Sequence, residues 1–453
     1  MNASRYTEIS GLYSKRKKSG LLRSLFFFLA FFISHVSFCQ FSPGYYALKD
    51  VNIIDGVSKE VLYQQTIIIR NNKIEKTGPL KEIVIPDSCV VFTYRGKYVM
   101  PGLIDTHIHL ATEPGKEDNR ARAEKDLYAM LLSGVTSVRD MAGDARELAS
   151  LSRDAITGDI LSPDIYYTAL MAGPSFFRDP RTHQSTQGGK AGEMAYMKAV
   201  TDSTDLRLAV AEARGAGATA IKLYAQLDAE LAKKITTEAQ HQGMQVWSHA
   251  DLSIASPLEV INAGVNSISH AGMITRWPSK NIPVDWLKPG LTEAFWDAAF
   301  KSLPVEEYIK AMLVNKTVLD ATMLVYENRL ADTTVQDTAR LKMIANWQIA
   351  KRFTKLALGK GVPVCAGTDT DENKFVQREI KLLVTKCGFT PMEAIIAATR
   401  HGAIATGIEK TTGTIREGKS ADLVLLSANP AADITNIDKV VLVIKKGKLI
   451  NVK

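Results

Sequence analysis

The sequence predicts an α/β protein, a (β/α)8 TIM barrel carrying a small β-sandwich domain formed from both ends of the mature chain. The first observation is a recurring unit. Ser133-Gly134-Val135-Thr136-Ser137-Val138-Arg139, Ala216-Gly217-Ala218-Thr219-Ala220-Ile221-Lys222 and Ala263-Gly264-Val265-Asn266-Ser267-Ile268-Ser269-His270 resemble one another, and Gln242-Gly243-Met244-Gln245-Val246-Trp247-Ser248-His249 is a looser copy. Each reads as a helix ended by a C′ glycine, then a short buried strand closing on a polar side chain. The second is that both ends of the chain share a texture of short strands and turns, which neither end can turn into a stable sheet alone. The third is that no Gly-x-Gly-x-x-Gly follows the first strand of the middle region, which disfavours a doubly wound open sheet.

The elements follow in order. Residues 1–39 read as a signal peptide: a basic run Lys15–Lys18, an apolar stretch from Ser24 to Phe38, and Ser37-Phe38-Cys39 as a small-x-small exit before Gln40. The stretch is shorter than the ~20 residues a membrane-spanning helix needs. The expectation is a periplasmic or secreted protein with no stable membrane insertion after cleavage, and an N-terminally membrane-anchored form is the alternative. Phe38 before Cys39 does not suit a lipid anchor. Residues 45–100 supply the N-terminal part of the β domain, 101–410 the barrel, and 411–453 the C-terminal β part. Within 101–410, further strands are expected at Leu103–His109, Ile165–Thr168, Val318–Met323 and Val364–Asp369, giving eight βα units.

Composition narrows the function. The 453 residues are 46% hydrophobic and 23% charged, ordinary for a globular chain with a full core. Of the net +8, residues 1–23 contribute +5 through Arg5, Lys15, Arg16, Lys17, Lys18 and Arg23 against Glu8. The remaining +3 is too small for an electrostatic nucleic-acid footprint. Three mature cysteines, Cys89, Cys365 and Cys387, make no disulfide framework.

Polar residues at the C-terminal ends of barrel strands are where this fold does chemistry. His107 and His109 are i and i+2 on the first strand and so face one site. Lys222 ends the fourth strand, His249 the fifth, His270 the sixth and Asp369 the eighth. Four imidazoles and a carboxylate suit a divalent transition metal, most simply Zn²⁺. Lys222, buried in an apolar strand, is costly as a cation beside a metal. As an N6-carboxylated lysine (a carbamate) it becomes an anion able to bridge two ions. The other reading is an unmodified lysine paired with Asp140 or held off the site.

Pro101-Gly102-Leu103-Ile104-Asp105-Thr106-His107-Ile108-His109, with Lys222, His249, His270 and Ala366-Gly367-Thr368-Asp369, resembles the amidohydrolase superfamily, nearest its imidazolonepropionase- and Xaa-Pro-dipeptidase-like branch. The resemblance implies that His107, His109 and Asp369 hold one metal and His249 and His270 a second, with carboxylated Lys222 bridging. It also implies a metal-bound hydroxide as nucleophile and Asp369 as proton shuttle, hence hydrolysis of C–N amide bonds, dipeptides included. The chain departs from some peptidase relatives, which carry a Gly-Gly-His-Gly-like segment after the third strand where this one reads Ala172-Gly173-Pro174-Ser175-Phe176-Phe177, with His183 as the candidate replacement. It also lacks the His-x-x-Glu of deaminase relatives, reading His249-Ala250-Asp251-Leu252.

Further pocket candidates are Tyr224, whose hydroxyl could donate to a carbonyl oxygen or a substrate carboxylate, and the loop carrying Phe176, Phe177, Arg178, Arg181 and His183. Arg139 could bind a carboxylate bidentately, but it is expected rather to pair with Asp140. Trp277, Trp286 and Trp296 mark an insertion that serves as lid, interface or packing. Cyclic amides, lactones and phosphoesters are the alternative substrates on the same scaffold, and a non-catalytic binding scaffold is the alternative of another class. The partner expected is a small-molecule or dipeptide substrate; assembly as a homo-oligomer stays open.

Overall fold

The computed structural model describes residues 44–111, 119–276, 282–332, 337–369 and 376–452. The expected signal segment with Cys39, and Trp277 in the insertion, lie outside the described residues. The first strands are β1 (Tyr45–Ile53), β2 (Leu62–Arg70), β3 (Lys73–Pro79), β4 (Val90–Thr93) and β5 (Tyr98–Pro101). The barrel region holds β6 (Leu103–Ile108), β7 (Val135–Asp140), β8 (Asp164–Ala172), β9 (Glu193–Met194), β10 (Met197–Ala199), β11 (Ala220–Leu223), β12 (Gln245–His249), β13 (Ser267–Ser269), β14 (Val318–Asp320) and β15 (Val364–Cys365). The chain closes with β16 (Leu423–Leu426), β17 (Val440–Lys445) and β18 (Lys448–Asn451).

Strands β6, β7, β8, β11, β12, β13, β14 and β15 pair in parallel in that order. Past the end of β15 the ring closes through two bonds, Thr106 N–H to the Ala366 carbonyl at 3.0 Å and Asp369 N–H to the His107 carbonyl at 2.7 Å. The helices between them present apolar faces to the strands. The repeat seen in the sequence is explained by backbone conformation: Gly134, Gly217, Gly243 and Gly264 all have positive φ just beyond a helix end. The small hairpin β9–β10 adds to β8 above the shorter β7, on the catalytic side.

The two ends of the chain do form one sheet, in the order β18-β17-β16-β5-β1-β2-β3, with β4 beside β1. It curls over its own core, which includes Leu48, Ile53, Ile67, Val99, Leu423 and Leu442, and β3 returns to bridge Ser420 just before β16. The polypeptide passes from sheet to barrel through Pro101-Gly102. A Cβ at Gly102 would lie 2.1 Å from Thr136 Oγ1, so only glycine lets β6 approach β7 at that point. Below the barrel, Lys445 Nζ sits buried between Asp164 (2.7 Å) and Asp422 (3.3 Å), joining the C-terminal strands to the start of β8.

Two expectations about the insertion and the cysteines can now be placed. Trp286 and Trp296 are buried against each other edge-on at 5.9 Å, and pack with Ile349 of the long helix Asp337–Gly359. They are core, not lid. Cys89, Cys365 and Cys387 are buried free thiols. Among the described residues no helix is long and apolar enough to cross a membrane.

Candidate metal centre

The strand ends bring the sequence candidates to one cavity of about 720 Å³, lined among others by His107, His109, Lys222, His249, His270 and Asp369. Asp369 Oδ1 lies 3.4 Å from both His107 Nε2 and His109 Nε2, and its Oδ2 lies 3.6 Å from His270 Nδ1. One ligand atom from each of His107, His270 and Asp369 fits within a 4.8 Å circle. The His249 ring is 4.8 Å from the His270 ring.

Each imidazole is fixed by a bond from its Nδ1. His107 donates to Asp320 Oδ2 at 2.8 Å, His109 to the Ala142 carbonyl at 3.1 Å, and His249 to the Asp251 carbonyl at 2.8 Å, while His270 Nδ1 bonds Thr322 Oγ1 at 2.9 Å. The carboxylate and carbonyl partners of His107, His109 and His249 set Nδ1–H and leave Nε2 as a lone-pair donor, the usual support of a metal-ligating histidine. The Thr322 hydroxyl, donor or acceptor, orients the His270 ring with either nitrogen protonated. The backbone around them is held in unusual conformations: His270, Thr322, Asp369 and Ala142 all have positive φ without being glycine. Clustering of that kind accompanies functional sites. Gly367 permits the tight approach, since a Cβ there would meet Asp320 Oδ1 at 2.5 Å and His107 Cβ at 2.6 Å.

Charge states suit ligation. Burial pushes His107 below the usual imidazole value, His249 down to about 4 with help from the Lys222 charge, and His270 well below. Burial also works against a charged His109, but Asp369 outweighs it and raises that imidazole. Burial alone would raise Asp369; His107, His109 and His270 hold its carboxyl well below the usual range instead. Burial lowers the Lys222 amine to about 8. Lys222 Nζ makes no hydrogen bond or ion pair with the described residues; it lies 5.8 Å from the centre of the Tyr224 ring.

Some sequence expectations need correction. Arg139 does not pair with Asp140. It points into the barrel interior, fully buried, and binds Asp320 Oδ2 at 3.1 Å, Ser267 Oγ at 2.7 Å and the Thr106 carbonyl, with its guanidinium 4.6 Å from the Trp247 ring centre. Asp140 instead accepts from the Leu110 and Ala142 backbone N–H groups. His183 does not join the cavity. On the short helix Pro180–Gln184 it faces solvent, while Arg181, Thr182, Gln184 and Ser185 line the pocket. Tyr224 lies just past the end of β11, yet its ring lines the cavity between Phe176 and His249, 4.8 Å from each. Strand β14 ends at Asp320, three residues earlier than expected, because a helix, Met323–Ala331, begins there.

Asp320 is the functional residue the sequence reading passed over. Fully buried, it accepts from His107, Arg139, Ser269 Oγ (2.8 Å) and Thr106 Oγ1 (3.2 Å). The rule that found the other candidates, a polar residue closing a barrel strand, would have found it had the strand been ended in the right place.

A parallel barrel with four imidazoles, a lysine and a carboxylate around one cavity at its C-terminal face has the architecture of a barrel enzyme, with a donor set that could hold a metal. Residues 98–450 match the amidohydrolase family, and the chain belongs to it: a hydrolase acting on C–N amide bonds. The chain is 27% identical over 389 residues to ochratoxinase of Aspergillus niger, covering 76% of this chain and 72% of that protein. It is 38% identical over 72 residues to imidazolonepropionase of Haloarcula marismortui, 15% of this chain and 17% of that one. In fold it resembles a crystal structure of a Xaa-Pro dipeptidase with methionine bound in the active site, with a TM-score of 0.71 and 24% identity, over 90% of this chain and 100% of that one.

Proposed function

We propose that the protein is an exported hydrolase that holds two divalent cations, Zn²⁺ in the simplest case, and cleaves the amide bond of dipeptides or other N-acyl amino compounds. The observation that supports it most is the donor set: four imidazoles anchored through Nδ1 around one carboxylate and one amine without a partner among the described residues. Such donors fit a metal. His107, His109 and Asp369 would hold one ion and His249 and His270 the other, with Lys222 bridging as its carbamate. A lysine amine whose value is lowered to about 8 is partly neutral near neutral pH, which is what reaction with CO₂ requires. Ions bound there would activate water near neutral pH and polarise a carbonyl.

The chain's own groups would do the rest. Asp369, kept ionised, can accept a proton and return it to the leaving amine, base then acid. The Tyr224 hydroxyl, kept protonated chiefly by burial, can donate to the carbonyl oxygen or to a substrate carboxylate. Phe176 packs against Tyr224 and holds it in place. That ochratoxinase and a Xaa-Pro dipeptidase are among the relatives supports an amide as substrate over a lactone or phosphoester. Export rests on residues 1–39, and N-terminal sequencing of the mature protein should begin at Gln40.

The test is elemental analysis of protein purified without chelator in the presence of bicarbonate and zinc. Two ions per chain are expected, falling to one or none in Lys222→Ala together with loss of dipeptide hydrolysis. One ion in the wild type would remove the bridging role of Lys222. None would leave the hydrolase without its nucleophile.

A further inference from the structure

One positive charge lining the cavity is carried on the helix after β14. The helix Met323–Ala331 follows β14 and presents Val325, Tyr326 and Arg329 to the cavity, an i, i+1, i+4 set on one face. Two anchors hold that helix. Buried Glu379 accepts from the Met323 and Leu324 N–H groups at 2.8 and 2.7 Å, and the Tyr326 hydroxyl accepts from Gly272 N–H at 2.9 Å. Arg329 therefore projects from a rigid element, as a binding group should.

Arg329 is exposed, and among the described residues its charge has no partner. Glu327, the acid on the same helix, is taken by Arg378 at 2.9 Å. Arg329 forms no hydrogen bond or ion pair with the described residues, and Asp369, committed to the imidazoles, is the only acid among the described residues lining the cavity. Arg181, which also lines the cavity, differs, because both oxygens of Asp179 already bind it, at 2.6–3.2 Å. The apolar part of the lining includes Leu170, Phe176, Met197 and Met273.

We propose that Arg329 is the specificity-determining residue of this enzyme, binding a carboxylate on the same molecule as the scissile amide. A substrate would place its amide at the imidazole cluster, an apolar side chain against the Met- and Phe-lined walls, and a free carboxylate at Arg329. A planar guanidinium with both edges free takes a carboxylate bidentately. The inference rests on the hydrolase reading above.

The test compares N-acyl-L-amino acids with apolar side chains, dipeptides included, against their C-terminal carboxamides. Both sets are given to the metal-loaded wild type, to Arg329→Gln and to Arg329→Lys. In the wild type kcat/KM for the acids should exceed that for the carboxamides by about tenfold or more. In R329Q the ratio should collapse toward one, chiefly through KM for the acids, and R329K should restore part of it. Equal use of acid and carboxamide by the wild type, or an unchanged ratio in R329Q, overturns the role. Calorimetric binding of the same acids and carboxamides is measured alongside, independently of turnover. Acids that bind the wild type tenfold more tightly than carboxamides, but are not cleaved, would uphold Arg329 and count against the hydrolase reading. A panel cleaved without that preference would do the reverse. Urea unfolding of each variant shows that the helix still forms.

Discussion

Replacing Asp320 separates two things that one carboxylate does. It fixes the tautomer of His107, and it neutralises Arg139 inside the barrel. Asp320→Ala would leave the guanidinium fully buried with only neutral partners, Ser267 Oγ and the Thr106 and Ala405 carbonyls. Removing one member of a buried pair costs about 3–5 kcal/mol. Asp320→Asn keeps the volume and one acceptor oxygen, so a loss of about 1.5–3 kcal/mol is expected, the range for hydrogen bonds to charged groups. The sharper effect of Asn is at the metal site. Its amide oxygen stays at the Oδ2 position, where His107, Arg139 and Ser269 all donate, with the NH₂ turned to Thr106 Oγ1, so His107 keeps its tautomer but loses the negative charge that makes its Nε2 a stronger ligand. Loss of such a supporting carboxylate weakens metal binding by about 10–100-fold, or ~1.4–2.7 kcal/mol. Zinc affinity measured by chelator competition, with urea unfolding of the metal-free protein in parallel, reads the two effects separately. A D320N protein that is destabilised but binds zinc within twofold of wild type would refute that support of His107 and leave Asp320 as a counter-ion for Arg139 alone.

Other substitutions test neighbouring parts of the argument. Gly367→Ala should abolish metal binding while leaving the helical signal intact, because the added Cβ collides with Asp320 and His107; activity and zinc content together decide it. Glu379, raised to about 8 by burial, binds a proton in the folded state that it has lost when unfolded, so its contribution to stability is full below about pH 4.5 and declines as pH rises toward 8. The difference in urea midpoint between wild type and Glu379→Gln, measured metal-free, should therefore narrow or reverse between pH 5 and pH 8, and a constant difference would contradict a raised carboxyl. Lys445→Ala leaves buried Asp422 without its ammonium, while Asp164 keeps Lys446 Nζ at 2.7 Å, and should cost about 3 kcal/mol in unfolding free energy, the low end for a broken buried pair, without altering kcat.

What the sequence discloses about this site follows the geometry of the strand. A barrel strand fixes which way its side chains point, so i and i+2 at His107 and His109, and the polar residues closing the later strands, could be assigned to one cavity before any coordinates. The Pro-Gly pair before β6 and the Ala-Gly pair after β15 have tertiary causes, the contact of Gly102 with Thr136 and of Gly367 with His107. Residues carried on helices and loops had no such constraint. His183 and Arg181 are two positions apart on one short helix, roughly 200° apart in direction, and which of them meets the cavity depends on how that helix docks, which periodicity does not state. Arg139 was assigned to its neighbour Asp140, although adjacent residues of a strand point to opposite faces; its partner is 181 positions away on a strand whose end was misplaced. Arg329 was not legible, since its approach to the cavity depends on Glu379 and Gly272, both about 50 residues away in sequence, seating its helix. The ligands are thus legible because the backbone of a strand aims them. The groups that orient the ligands and select the substrate are set by tertiary packing, and it is there that members of one family with the same metal cluster can come to differ in what they cleave.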